Sequence, residues 1–475
     1  MSASPRKIIP LVPLNPLGPP EQKIQARAVT GRHARWRWAM VWLTQAFFYG
    51  LPWLNFNQRQ AVLFDVAGGR FYLFGAVLYP QDLIYLTALL VLCALLLFAA
   101  TALAGRVWCG FACPQTVYTQ IFQWLELRIE GDRLARMRLD AQAWDAGKLR
   151  LRTGKHLAWA AVSLWTGLTF VGWFTPIRDL STGLLTASGI GPWEVFWVLF
   201  YSLATYGNAG YLREKVCQHM CPYGRFQGSM LDRDTLIVGY DSARGEPRGA
   251  RARGSDAQAL KLGSCVDCTI CVQVCPVGID IREGLQAPCI SCGLCIDACD
   301  TVMDKLQAPR GLIRFASQRE LAGEAAAVGW RAQWRRPRVR IYAALLLGVS
   351  AALMLGFASR PTLRVDAIRD RGVLARQGED GRITNVYRLQ VMNASERARR
   401  IEVRVDGTPG LQVDTQVGRT LLAAQALTLP VTLSLPPAQA VSLAGRIVPI
   451  RLRVVDLDHA AQEFAAADST FVIPH

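Results

Sequence analysis

The chain has 475 residues, a formal net charge of +17 and an apolar fraction of 51% that is concentrated in blocks. Its length suits two or three domains, and the apolar blocks argue against a single soluble domain. The basic excess lies before residue 361, where 39 Lys and Arg outnumber 24 Asp and Glu by 15. Basic segments beside apolar blocks are typical of a membrane protein, so nucleic acid is not expected as a partner.

Five apolar blocks predict an α-helical transmembrane bundle. The second block, DLIYLTALLVLCALLLFAATALA, has no charge after Asp82 and can cross a hydrocarbon core of roughly 30 Å. The first block is shorter and contains Pro52, but its tryptophans suit the membrane interface. The predicted spans are residues 39–55, 82–104, 155–174, 190–211 and 340–358.

Basic residues orient these spans, because segments rich in Lys and Arg stay in the cytoplasm. Seven of them precede the first span, whereas the connections 56–81 and 175–189 hold two and one. No cleavable signal peptide is visible, so the first span is expected to be an uncleaved anchor. The predicted order is a cytoplasmic segment 1–38, spans one to four at 39–211 with a cytoplasmic loop 105–154, a cytoplasmic segment 212–338, span five at 339–358 and a periplasmic segment 359–475.

Two Cys-x-x-x-Cys-Pro motifs, in RVWCGFACPQT and KVCQHMCPYGRFQ, follow the second and fourth spans at the predicted cytoplasmic boundary. Proline favours the first turn of a helix, so the second cysteine of each motif is predicted to begin one. A helix N-terminus is expected to lower the pKa of such a thiol. Basic residues close in sequence are expected to act in the same direction, namely Arg106, Lys215 and Arg225.

The four thiols of these motifs, Cys109, Cys113, Cys217 and Cys221, have several possible roles. If the two spans pack together, four thiolates form one soft site suited to Cu(I), zinc or an iron–sulfur centre. Alternatively, each pair cycles between dithiol and disulfide, or the cysteines are inert parts of helix contacts. His219 lies inside the second motif and is a further candidate ligand, although a hydrogen-bonded interfacial histidine is the commoner case.

Two further runs of cysteines, CVDCTICVQVCP and CISCGLCIDACD, share the spacing Cys-x2-Cys-x2-Cys-x3-Cys of bacterial two-cluster ferredoxins. Three close thiolates then hold one face of a 4Fe–4S cluster, and the fourth comes from the other run. Doubled spacing argues against zinc, although Asp300 replaces the usual final proline. A ferredoxin domain at about 255–305 is predicted, with two clusters held by Cys265, Cys268, Cys271 and Cys299, and by Cys289, Cys292, Cys295 and Cys275.

The segment 359–475 alternates apolar and polar residues at period two, as in RITNVYRLQVMNASE, RRIEVRVDG, LTLPVTLSLPP and RIVPIRLRVVD. Strands separated by short turns predict an all-β, immunoglobulin-like sandwich. No cysteine lies beyond Cys299, so this segment has no disulfide and the thiols lie on the reducing side. An interaction or docking role is expected for it.

These residues resemble the CcoG/FixG/RdxA family of accessory proteins for assembly of cbb3-type cytochrome c oxidase. The matching stretches include YGLPWLNFNQRQAVLFD, RVWCGFACPQTVYTQIFQWLELRIEGDR, VCQHMCPYGRFQGSM and the eight-cysteine run through CIDACDTVMDK. The resemblance implies a bacterial inner-membrane protein with two 4Fe–4S clusters that reduces Cu(II) to Cu(I). By position, it implies copper handling by Cys109, Cys113, Cys217 and Cys221.

Two other interpretations stay open. Membrane ferredoxins similar to NapH also pair CxxxCP motifs with 4Fe–4S clusters and relay electrons from quinol, but they lack the β-domain. Alternatively, the chain is a non-catalytic assembly scaffold in which the clusters are structural. The expected partners are the membrane, copper, oxidase assembly factors or copper chaperones, and an electron donor that is either quinol or a soluble reductant.

Overall fold

The computed structural model describes residues 24–186, 188–251, 260–324, 330–370, 375–414, 418–458 and 464–474. The chain divides into two compact units. Unit 1 comprises Met1–Trp38, Ala104–Ala158 and Leu212–Val328, and unit 2 comprises Ala39–Leu103, Trp159–Tyr211 and Gly329–His475. All twelve cysteines of the predicted site therefore belong to unit 1.

The described residues form α-helices throughout both units. In chain order they are α1 (Arg32–Gly50), α2 (Leu83–Ala104), α3 (Val107–Phe111), α4 (Pro114–Ile129), α5 (Arg133–Ala141), α6 (Ala146–Val171), α7 (Ile177–Thr186), α8 (Pro192–Gly207), α9 (Pro222–Met230), α10 (Ser242–Gly245), α11 (Ile270–Gln273), α12 (Leu294–Lys305), α13 (Gln318–Leu321), α14 (Trp330–Arg335), α15 (Pro337–Ala358) and α16 (Pro437–Ser442).

The strands fall into small sheets early in the chain and two larger sheets at its end. They are β1 (Asn55–Phe56), β2 (Arg59–Gln60), β3 (Val62–Asp65), β4 (Arg70–Leu73), β5 (Ala76–Leu78), β6 (Ile237–Tyr240), β7 (Ile313–Ala316), β8 (Leu363–Arg369), β9 (Arg376–Gln377), β10 (Ile383–Asn393), β11 (Arg399–Asp406), β12 (Gln412–Val413), β13 (Arg419–Leu421), β14 (Ala426–Leu435), β15 (Ile447–Asp456) and β16 (Phe464–Val472).

The predicted count of five membrane spans needs correction. Among the described residues, two helical segments are long and apolar enough to cross a membrane, Pro80–Ala104 and Pro337–Ala358. They correspond to the second and fifth predicted spans.

The helices at the other three predicted spans fall short for identifiable reasons. Helix α8 has 16 residues, about 24 Å at 1.5 Å per residue, which is less than a hydrocarbon core of roughly 30 Å. Helix α1 contains three arginines in its first two turns and ends before Pro52. Helix α6 is longer, but its first ten residues carry four basic side chains.

The C-terminal part of unit 2 is the predicted β-sandwich. One sheet has the order β12-β14-β10-β8, with β9 also paired to β10, and the other has the order β13-β11-β15-β16. The four stretches that alternate in sequence form the long strands β10, β11, β14 and β15. Their apolar residues form one core, because period-two alternation places them on a single face of each sheet.

Early strands of unit 2 pack against the sandwich. Leu63, Tyr72 and Val77 share an apolar cluster with Met392 and Ala394. The Tyr79 hydroxyl donates a hydrogen bond to the carbonyl of Asn393 at 3.1 Å. Close by, the buried carboxylate of Asp82 lies 2.7 Å from the guanidinium of Arg364. The segment 55–82 and the sandwich therefore form one body within unit 2.

Candidate redox and metal-binding site

The eight ferredoxin-type cysteines of unit 1 line two neighbouring cavities. The first cavity is lined by Cys265, Cys268, Cys271 and Cys299. The second is lined by Cys275, Cys289, Cys292 and Cys295, with Cys271 on their shared side. These are the two interleaved sets that the spacing predicts, so the donor set fits two four-thiolate iron–sulfur clusters.

Matching backbone turns shape the two cavities. Thr269 and Gly293, which follow the second cysteine of each run, both have a left-handed conformation, with φ of 56° and 73°. Each of these residues caps a helix, α11 or α12, that carries the third cysteine. Glycine adopts this conformation freely, whereas a threonine there is held against its preference. Both runs therefore fold their first three thiols around one region in the same way.

Thiol pKa values report which cysteines lie near one another. The pKa of Cys299 is raised to about 12, mainly by burial and in part by the thiols of Cys271, Cys265 and Cys268. The pKa of Cys275 is also raised to about 12, mainly by burial and in part by the thiols of Cys292 and Cys289. Thiols without metal are therefore neutral near pH 7, and cluster binding displaces their protons.

The four CxxxCP thiols also come together in unit 1. Cys113 and Cys221 are the N-caps of α4 and α9, so both predicted helix starts are correct. The thiols of Cys113, Cys217 and Cys221 all act on the pKa of Cys109, and those of Cys113 and Cys221 act on that of Cys217. The two motifs, which are about a hundred residues apart in sequence, therefore face one shared region.

The predicted lowering of the thiol pKa at the start of a helix is wrong for Cys113, whose pKa is raised. The pKa of Cys109 is raised to about 12 and that of Cys217 to about 11, mainly by burial and in part by neighbouring thiols. For Cys113, backbone N–H groups of the first turn of α4 do lower the pKa, but burial outweighs them. Arg106 lowers the pKa of Cys109, as predicted, but its effect is too small to offset burial. The side chain of Arg225 lies outside the described residues.

A buried ion-pair network joins the two motifs. Glu126 of α4 is fully buried, and its carboxylate lies 2.6 Å from Arg213 and 2.9 Å from Arg136. Arg213 comes four residues before Cys217, and its carbonyl accepts a hydrogen bond from the Gln115 amide at 3.0 Å. The helix that follows Cys113 is therefore tied to the segment that leads into the second motif.

Gln227 and Arg106 add direct links at the thiols. The side chain of Gln227 accepts a hydrogen bond from the Cys109 thiol at 3.5 Å and donates one to the carbonyl of Gly105 at 3.2 Å. The guanidinium of Arg106 donates to the carbonyls of Gly224 and Ala287. Arg106 thus connects both CxxxCP motifs with the loop before Cys289.

The first CxxxCP motif lies directly against the second cavity. Cys109 packs on an apolar cluster that contains Cys292 and Cys275. A side chain at buried Gly110 would meet the carbonyl oxygen of Ile290 at 2.6 Å and the Cα of Cys292 at 2.9 Å. Glycine is therefore required here for α3 to approach the cysteine loop so closely.

His219 is less favourably placed than the sequence suggests. It is exposed in the π-helical turn Val216–Met220, and the largest effects on the pKa values of Cys109 and Cys217 come from burial, the other thiols, Arg106 and Glu214. Across the parts of the chain that the structure describes, no group of three or more His, Cys, Asp or Glu side chains could hold a single metal ion. This applies both to the four CxxxCP thiols and to the eight ferredoxin-type cysteines.

Sequence reasoning missed a buried cation beside the second cavity. Arg37 of α1 is 5% exposed, and burial lowers its pKa while the thiols of Cys292 and Cys275 raise it. Helix α1 is fixed there because Asp297 of α12 accepts hydrogen bonds from the backbone N–H groups of His33 and Ala34, at 3.1 and 2.8 Å. No spacing rule links these residues, since more than 250 positions separate them.

Three family models match parts of the chain. Residues 212–318 match a 4Fe-4S dicluster domain, residues 86–130 match a 4Fe-4S binding domain, and residues 353–474 match the IG-like fold at the C-terminal of FixG. Together with the two cavities, the apolar helices and the β-sandwich, they define a membrane protein of the iron–sulfur redox class.

Comparison of whole chains identifies the family. The chain is 39% identical to protein RdxA of Cereibacter sphaeroides over 455 residues, which cover 93% of this chain and 95% of that protein. It is 37% identical to nitrogen fixation protein FixG of Rhizobium meliloti, covering 83% and 81% of the two chains. The chain belongs to the FixG/RdxA family, which confirms the resemblance seen in its motifs.

A solved structure also matches. The crystal structure of a FixG-related protein from Vibrio parahaemolyticus is 21% identical and covers 24% of this chain and 97% of its own, with a TM-score of 0.21. This score is too low to support a conclusion about the fold.

Proposed function

We propose that this protein is a cupric reductase that supplies Cu(I) during assembly of cbb3-type cytochrome c oxidase. Copper is the substrate, and Cys109, Cys113, Cys217 and Cys221 face one region and move together around the ion when it binds, since as described they do not converge closely enough to hold it. The observation that carries the proposal is the packing of Cys109 and Gly110 against the loop of Cys292, which places four clustered thiols beside an iron–sulfur cavity. When bound, the two 4Fe–4S clusters supply single electrons.

The chemistry of the four thiols suits this substrate. Reduction of Cu(II) to Cu(I) takes one electron and no proton, so no general acid or base is needed. Soft thiolate ligands stabilise Cu(I) over Cu(II) and thereby favour reduction. Because the thiol pKa values are raised, copper binding must displace protons, and affinity for copper rises with pH. His219, being exposed, can serve as an entry ligand at most.

The proposed location is a bacterial inner membrane, with the cysteine-bearing segments 104–158 and 212–328 of unit 1 in the cytoplasm and the β-sandwich in the periplasm. The charge distribution supports it, and so does the packing of segment 55–82 on the sandwich, since both are assigned to the periplasm. A fluorescent reporter fused after Asp300 is expected to be active, and alkaline phosphatase fused at His475 is also expected to be active. Phosphatase activity at Asp300 would place the clusters in an oxidising compartment and contradict the scheme.

Pair variants test the copper site. The double variants C109S/C113S and C217S/C221S are each expected to lose copper binding and Cu(II) reduction almost completely, because members of a shared site act as a unit. The measurement is copper content and Cu(I) formation with a Cu(I)-specific chelator, on anaerobically purified full-length protein. C93S is the matched control, since Cys93 is an exposed thiol on α2 and lies outside the site.

Iron content decides between the alternatives. The description of residues 86–130 as a 4Fe-4S binding domain favours a second candidate, in which the four thiols hold an iron–sulfur centre. In that case the protein binds about twelve irons and each pair variant loses about four of them. An assembly scaffold with structural clusters predicts unchanged Cu(II) reduction in both pair variants, and a quinol-linked relay predicts electron transfer that does not depend on copper. Two independent sites predict half the copper for each pair removed.

A further inference from the structure

A separate cavity of about 260 Å³ lies within unit 1 on another side of the second cluster site. One wall is formed by Val274, Pro276 and Leu294, which are sequence neighbours of Cys275 and Cys295. The opposite walls come from the N-terminal segment 26–38 and from α4. We name it the Trp38–Trp124 cavity after the two indoles that line it. A ligand there lies next to a cluster without touching any cysteine thiol that lines the cluster cavities.

The described residues that line this cavity offer hydrogen-bond donors and include no carboxylate. They include Arg27, Arg37 and Arg136, together with the amides of Gln120 and Gln123. The Nε atoms of Arg37 and Arg136 are buried, and among the described residues neither has a hydrogen-bond partner. Both side chains are at most 5% exposed, and leaving a buried donor unpaired is costly. The cavity is therefore suited to a ligand that presents acceptor oxygens.

Shape and size narrow the ligand further. The rings of Trp38 and Trp124 lie 6.3 Å apart at 75°, in edge-to-face contact, and together they give the cavity one aromatic wall against which a planar ring can pack. About 260 Å³ accommodates one substituted ring and is too small for a dinucleotide cofactor. The helix that carries Arg37 and Trp38 continues directly into the apolar sequence AMVWLTQAFFYG, and tryptophans favour the membrane interface. A ligand held in the lipid phase can therefore reach it.

We propose that the Trp38–Trp124 cavity binds the headgroup of a membrane quinone, with Arg37 as a hydrogen-bond donor to one ring oxygen. The quinone site itself is inferred from the cavity, and the inference rests on the proposed function only in naming Cu(II) as the electron acceptor. Oxidation of one hydroquinone to quinone releases two electrons and two protons, and two Cu(II) ions take up the two electrons to give two Cu(I). The protons pass to water.

Decyl-ubiquinone binding to the full-length protein in detergent tests this site, measured without copper as saturable quenching of tryptophan fluorescence. Arg37→Gln is expected to weaken binding about tenfold or more, because one buried donor is lost. Arg35→Gln is the matched control, since Arg35 lies on the same helix but is exposed and outside the cavity lining. Ala28→Trp, at an exposed position of the lining, is expected to block the cavity while Arg37 stays in place.

Each outcome decides the proposal separately from the copper chemistry. Iron content and the EPR signal of the reduced clusters must match wild type in every variant that is compared. If Arg37→Gln disturbs a cluster, Ala28→Trp alone is used to test quinone binding. Equal quenching in wild type, Arg37→Gln and Ala28→Trp would overturn the proposal, as would an anionic phospholipid that copurifies in the cavity and excludes the quinone. Saturable quinone binding in a protein that does not reduce Cu(II) would leave this site standing and refute only the copper proposal.

Discussion

Replacing Cys292 with serine is expected to lower bound iron from about eight to about four atoms per chain. Cys292 lines the second cavity and is buried. After burial, it makes the largest contribution to the raised pKa values of Cys275 and Cys295, so it lies close to both. A serine hydroxyl is a poor substitute for a thiolate at iron. Because the first CxxxCP motif packs on this loop, Cu(II) reduction is expected to fall to background as well.

Cys268→Ser is the paired variant for the other cluster. Cys268 lines the first cavity and is exposed, so its replacement is expected to remove that cluster without disturbing the packing of Cys109. The measurements are iron per chain and the EPR spectrum of reduced protein, in which interaction between two clusters should disappear in either variant. Eight irons retained in both variants would show that the interleaved ligand sets are wrong.

Spacing in the sequence was sufficient for the parts of the site that are local in the chain. The x2-x2-x3 pattern groups the same cysteines that line each cavity, because a short turn brings three thiols together whatever surrounds them, and their role as cluster ligands stays a prediction. Proline after Cys113 and Cys221 predicted two helix starts, since it fixes the local backbone. Period-two alternation likewise predicted the long strands of the sandwich.

The features that failed depend on tertiary burial. The pKa of the Cys113 thiol is raised where a lowering was expected, because burial outweighs the effect of the helix N-terminus. Burial is also the largest cause of the raised pKa of Cys109, and the degree of burial can be known only from the packed structure. Helix α8 proved too short for a span because its apolar block continues into a π-helical turn at Asn208–Leu212. The partners of Glu126, Arg37 and Asp297 lie far away in sequence, so no local pattern indicates them.

Replacing Glu126 with glutamine is expected to destabilise unit 1 by about 3–5 kcal/mol. The carboxylate is fully buried and faces two guanidinium groups that are themselves about 5% exposed, those of Arg136 and Arg213. A neutral amide removes the negative charge that both buried cations face, and a buried charge that loses a paired opposite charge is strongly destabilising. Since Arg213 leads into the second CxxxCP motif, the two thiol pairs should also lose their alignment and copper should dissociate.

Chemical unfolding of the full-length protein in detergent measures this change, with Asp304→Asn as the control. Asp304 pairs with Arg310 at 2.6 Å, but both side chains are exposed, so its loss should lower the stability far less than the loss of the Glu126 carboxylate. Adding Arg213→Met to Glu126→Gln should lower the free energy of unfolding by less than the sum of the two single changes. The second change removes one of the two buried cations that face residue 126. If Glu126→Gln proved as mild as Asp304→Asn and still bound copper, the ion-pair network could not be what holds the two motifs together.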